Sequence, residues 1–71
     1  RTAERVLEWA RKRGGRFATE TLYQSGPVEV RNKAHAEKVL RALEQHGLAR
    51  QLPAGIEVDG KSRRNAWEVR T

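Results

Sequence analysis

Cysteine is absent from the 71 residues of this chain. That absence excludes a disulfide framework, a thiolate zinc site and a cysteine nucleophile together, and it fits a reducing, cytoplasmic setting. Long apolar runs are also missing. Nothing approaches the roughly 18 residues of a membrane span, and no signal-peptide core is present, so no membrane partner is expected. Acidic residues are scarce beside basic ones. Nine Asp plus Glu face fifteen Lys plus Arg, a formal charge of +6 with a pI near 10.8.

What is present sets the class. Hydrophobic residues at 37% and charged ones at 34% make a lean composition, but Trp9, Phe17, Tyr23 and Trp67 supply large apolar anchors and argue against disorder. The length allows one domain over residues 1–71, with about 60% of the unfolded surface buried. The first residue is Arg1 rather than Met, and the expectation is a piece of a longer protein. Most of the cations are arginine, suited to bidentate phosphate or guanine contact. A basic domain of this size is expected to meet a polyanion. Solubility alone is the bland alternative.

Periodicity predicts a first helix over Thr2–Arg13, with Thr2 as N-cap, Glu4 at its positive start and Arg11, Lys12 and Arg13 at its negative end. Ala3, Val6, Leu7 and Ala10 share one face, with Trp9 at its edge. Gly14-Gly15 ends the helix as a left-handed cap, a better reading of Arg-Gly-Gly-Arg than an RNA-binding repeat. Arg16-Phe17-Ala18 is a short extended rung that sends Phe17 inward. Thr19 is expected to cap a second helix, Glu20 to about Ser25, with Leu22 facing the core and Gly26-Pro27 closing it.

After a connector over Val28–Arg31, Asn32 caps a third helix that runs to about His46 and stops at Gly47. Ala36, Val39, Leu40 and Leu43 form its apolar stripe. Ala34, Lys38, Arg41 and Gln45 lie opposite, within about sixty degrees of one another, with Glu37 and Glu44 to one side. The period then changes to two. Leu48–Leu52 reads as a strand broken by Pro53-Ala54-Gly55, Ile56 and Val58 continue it, and Asp59-Gly60 is a hairpin dipeptide. Asn65–Arg70 is the return strand, with Trp67 and Val69 on one side. Lys61-Ser62-Arg63-Arg64 is expected at the hairpin tip. The fold class is therefore α+β: a winged helix-turn-helix of three helices, a short rung and a C-terminal two-stranded wing. The connector after Gly26 is longer than the usual 3–4-residue turn.

Three stretches carry a resemblance: Ala3-Glu4-Arg5-Val6-Leu7-Glu8-Trp9 with Gly15-Arg16-Phe17-Ala18, then Leu40 through Leu48, then Arg63-Arg64-Asn65-Ala66-Trp67-Glu68-Val69. They resemble the small winged domain near the C-termini of bacterial primase- and helicase-like proteins carried by plasmids, phages and integrated elements. The resemblance spans nearly the whole chain. It implies an accessory DNA-binding module in a larger replication or transfer protein, with that protein's other domains as neighbours.

Catalytic and metal readings fail on spacing. His35 and His46 are about 16 Å apart along a helix and cannot share an ion. Ser25 and Ser62 have no histidine expected nearby, the carboxylates are scattered among arginines, and no glycine-rich loop precedes a helix. No enzyme activity and no cofactor are expected. DNA, duplex before single strand, is the expected partner. Lys38, Arg41 and Gln45, with Asn32, Lys33 and His35 at the helix start, are the candidates for the major groove, although Asn32 reads first as a cap. Lys61, Arg63 and Arg64 would touch the backbone or minor groove. Arg11, Lys12, Arg13, Arg16 and Arg31 are weaker candidates. Trp9 and Trp67 are stacking platforms only if they are not core. The rival class is a winged helix acting as a protein-interaction module. Structured RNA on the same basic face is a third reading.

Overall fold

The computed structural model describes residues 1–58 and 60–70. Helix α1 spans Thr2–Lys12, strand β1 Arg16–Ala18, helix α2 Thr19–Ser25 and helix α3 Lys33–Gln45. Strands β2 (Ala49–Gln51), β3 (Ile56–Val58), β4 (Lys61–Arg63) and β5 (Ala66–Val69) follow. Among the described residues, no helix is long and apolar enough to cross a membrane.

α1 buries Val6, Leu7 and Ala10, the stripe that a 3.6-residue period defines. Its N-cap is Arg1 and no side chain caps it, so Thr2 is already helical and not the cap expected. At the other end Gly14 N–H reaches Arg11 O at 3.2 Å and Gly15 N–H reaches Ala10 O at 2.8 Å, the paired bonds of a Schellman ending. α3 ends the same way, with Gly47 N–H on Glu44 O at 3.0 Å and Leu48 N–H on Leu43 O at 2.9 Å. Gly47 takes φ +72° there, a left-handed conformation that a Cβ disfavours.

Thr19 is not the N-cap of α2 either. It opens α2 as its first helical residue, behind Ala18, and makes no cap bond. Its hydroxyl instead donates to Asn65 O at 3.1 Å and accepts from the Trp67 indole N–H at 3.1 Å, which ties α2 to β5. The connector between α2 and α3 is long but anchored. Val30 within it is 3% exposed, Val30 N–H bonds Pro27 O at 2.9 Å, and Glu29 pairs with Arg5 of α1 at 3.0 Å. Asn32 caps α3 as expected, its Oδ1 accepting from His35 N–H at 2.8 Å.

β5 lies in the middle of a three-stranded antiparallel sheet, order β1-β5-β2. Phe17 stands opposite Trp67, and Trp67 opposite Gln51. Phe17, Trp67 and Val69 turn to the helical side and join Val6, Leu22, Leu40 and Leu43 in the main core. Alternation sends Arg16, Glu68 and Arg50 to the other side of the sheet.

The wing departs from its expected form. The cations were expected at a hairpin tip, but Lys61–Arg63 is itself strand β4, paired antiparallel with β3. Asn65–Arg70 does not return against Ile56 and Val58, because β5 pairs with β1 and β2. Asp59 of the turn dipeptide lies outside the described residues. Ile56 and Val58 pack on Leu52 and Ala66 in a second small cluster, on the sheet side turned away from the helices. The hairpin is thus stapled onto the sheet by apolar contacts.

Candidate nucleic-acid interface

With Ala36, Leu40 and Leu43 buried, the 3.6-residue period turns Ala34, Lys38, Arg41 and Gln45 outward, and all four are exposed. Arg41 approaches Glu44 at 3.8 Å, with both side chains largely in solvent. Such a pair contributes about 0–1 kcal/mol, too little to keep Arg41 from another anion. At the helix start Lys33 is exposed and His35 half-buried. The Asn32 side chain is engaged by the cap.

β4 places the wing cations differently. Lys61 stands opposite Val58 and Arg63 opposite Ile56, and directly opposed residues share a face. Both cations therefore point to the side that carries the second cluster, while Glu57 and Ser62 point away. Lys61 and Arg64 are exposed and Arg63 is half-buried. The Arg63 Nε is shut off from solvent without a hydrogen-bond partner, on the face that Arg63 shares with Ile56.

The weaker candidates have local engagements. Arg11 Nε donates to Arg70 O at 3.1 Å. The Arg13 guanidinium lies 4.7 Å over the Trp9 ring, and Trp9 meets Phe17 edge-on at 5.2 Å. Trp67 is 3% exposed, which removes it as a stacking platform. Lys12 and Arg31 are exposed.

One charged constellation was missed. Arg16 and Arg50 both stand opposite Glu68, from the two outer strands. Arg16 Nε meets Glu68 Oε2 at 2.9 Å, and Arg50 Nε and Nη2 meet Oε1 at 2.9 and 2.8 Å. The hydrogen bond from Arg16, then that from Arg50, holds the Glu68 carboxyl below the usual carboxylate range. Period-two alternation in Leu48–Leu52 and Asn65–Arg70 was the available signal. Register was not in the sequence, so the row could not be assembled from it.

A helix pair α2–α3 under a three-stranded antiparallel sheet, with a basic hairpin carried between β2 and β5, defines a winged helix. The match to known families agrees. The chain belongs to the YfjI-like C-terminal winged helix domain family, whose model matches residues 1–68. No curated protein and no solved structure matches it. At the coarse level, membership of the winged-helix class suggests DNA binding.

Proposed function

We propose that this chain is a non-catalytic duplex-DNA-binding module that inserts α3 into the major groove. It serves as an accessory domain of a larger cytoplasmic replication or transfer protein and packs beside that protein's other domains. One observation carries the reading: Lys38, Arg41 and Gln45 stand together on the exposed face of α3, opposite the stripe that anchors the helix. Long cations and an amide are the side chains that read base edges and meet phosphates. Lys33 and His35 extend this surface toward the helix start. Lys61, Arg63 and Arg64 add backbone contacts from the wing.

The test is titration with a short mixed-sequence duplex, following backbone amide shifts by NMR. Shifts centred on residues 33–45, lost in Lys38→Glu/Arg41→Glu with helicity intact, support the reading. A duplex that moves no amides at low salt refutes it.

A second reading, a protein-interaction module, rests on a different surface. Val28 is 72% exposed, the one large apolar side chain so placed among the described residues. A shallow cleft of about 260 Å³ lies nearby, between Trp9 and Pro27. Binding of a protein partner that is insensitive to the α3 charge reversals but lost in Val28→Glu would favour it.

A further inference from the structure

The side of the sheet turned away from the helices carries two neighbouring cross-strand rows. Arg16, Glu68 and Arg50 form one. Ala18 stands opposite Ala66 and Leu52 N–H reaches Ala66 O at 2.8 Å, so Ala18, Ala66 and Leu52 form the other. The rows lie two residues apart along each strand, about 7 Å. The apolar row is buried, with Ile56 and Val58 of the β3–β4 hairpin packed on Leu52 and Ala66. The charged row beside it is open, its Arg16 and Arg50 side chains 52% and 71% accessible. The wing therefore covers one row and leaves the arginine row next to it uncovered.

Lys61 and Arg63 stand opposite Val58 and Ile56, on the hairpin face that makes this cover. Wing cations and sheet cations thus belong to one side of the domain. Arg70 joins them. Its N–H bonds Leu48 O at 2.9 Å, one step beyond the Ala49–Val69 pair, and alternation sets it on the Glu68 side. These five cations against Glu68 leave the surface at +4 (5 − 1). Glu68 takes one guanidinium on each carboxylate oxygen and fixes both without using them up. The pairs engage one N–H donor of Arg16 and two of Arg50, of the five each guanidinium owns.

We propose that Arg16, Arg50 and Arg70 continue the wing's phosphate-contacting surface, so that a nucleic-acid backbone met by Lys61 and Arg63 runs on over the sheet. This rests on the duplex-binding reading above and deepens it by extending the footprint from the wing to the sheet. Charge complementarity names the occupant: guanidiniums held on a sheet match the spaced phosphates of a nucleic-acid backbone. The row offers no amide or apolar side chain to a base edge, so its contacts strengthen binding without selecting a sequence.

The experiment is a comparison of two charge-matched variants by fluorescence anisotropy on a labelled mixed-sequence duplex. The duplex has about 20 base pairs and so outreaches the domain, whose longest dimension is 30 Å. Arg16→Gln/Arg50→Gln should weaken binding by about tenfold or more. Arg1→Gln/Arg5→Gln removes the same charge from the start of α1, where Arg5 is also ion-paired, and should stay within about twofold through screening. Arg16→Lys/Arg50→Lys should recover most of the loss, and Glu68→Gln should tighten binding. Two further phosphates steepen the salt slope beyond that of α3 and the wing alone by about 1.8, an increment that Arg16→Gln/Arg50→Gln should lose. Equal losses in the two glutamine variants overturn the proposal, because net charge alone is then at work. Binding that Lys38→Glu/Arg41→Glu abolishes but Arg16→Gln/Arg50→Gln leaves untouched also overturns it, with the α3 reading still standing. A parent chain that binds no duplex at low salt overturns that reading and the proposal with it.

Discussion

The Trp67 indole N–H donates to the Thr19 hydroxyl at 3.1 Å, and the same hydroxyl donates to Asn65 O at 3.1 Å. A helix start is thereby fastened to the sheet through one buried oxygen. Thr19→Val keeps the shape and removes the relay, leaving the buried indole N–H without its acceptor. Stability should fall by about 1–3 kcal/mol. Thr19→Ser should recover most of it, read by urea denaturation of the two variants side by side.

Leu43 is 2% exposed and belongs to the main core with Val6, Phe17, Leu22 and Leu40. Leu43→Ala should cost about 2–5 kcal/mol, a large share of the stability of so small a domain. An unchanged thermal midpoint would mean that helix three is wrongly phased.

Gly26 needs its missing side chain for space. A Cβ there would stand 2.3 Å from the carbonyl oxygen of Leu22, which already accepts the Gly26 N–H at 2.9 Å. Gly26→Ala should destabilise by about 1–3 kcal/mol through backbone displacement. Amide exchange should accelerate through α2 and the start of the connector.

Glu68 gives the domain a pH dependence of known sign. Its carboxyl is held below the ordinary range by Arg16 and Arg50. The native state therefore binds its proton less readily than the unfolded chain, whose value is near 4.3. The stabilisation is fully present well above that value and is lost as pH falls through the lower native one. The thermal midpoint of Glu68→Gln should lie below that of the parent at pH 7, and the two should converge in acid. A gap that persists at the lowest pH would mean that Glu68 acts through packing instead.

Salt separates polyanion binding from protein contact. With five phosphates met, two from α3 and three from the wing, log affinity should fall against log salt with slope about −4.5. Raising salt from about 50 to 200 mM then weakens binding about 500-fold. Lys38→Ala/Arg41→Ala should bring the slope to about −2.7. A protein-interaction module would keep its contact in the same salt.

The helices were legible because local signals agree. Asn32 caps α3, Gly14 and Gly47 end α1 and α3, and the stripes Val6-Leu7-Ala10 and Ala36-Leu40-Leu43 are buried. The α3 face followed from the same periodicity. Thr19 misled because a threonine before an acidic helix start looks like a cap, while its true partners, Asn65 and Trp67, lie far along the chain. The wing misled for a similar reason. The Asp59-Gly60 dipeptide is a local signal that Ile56–Val58 pairs with the residues after it, as β3 and β4 do, but nothing local says that β5 leaves that hairpin to join β1. Glu68 reads from sequence as one more ion-pair partner among scattered arginines, and only register names Arg16 and Arg50 as its partners.

The placement of β5 between β1 and β2 also bears on how the chain is made. Phe17 leaves the ribosome fifty residues (67 − 17) before its cross-strand partner Trp67. Until then β1 and β2 have no strand between them, and the core side chains of α1 and α3 lack the floor they pack on. The helices can form during synthesis from local interactions. Closure of the sheet is a late step of high sequence separation, and such steps are slow. A nascent chain stalled just before Ala66 would expose Phe17, Leu40 and Leu43 together, a surface for chaperones or for aggregation.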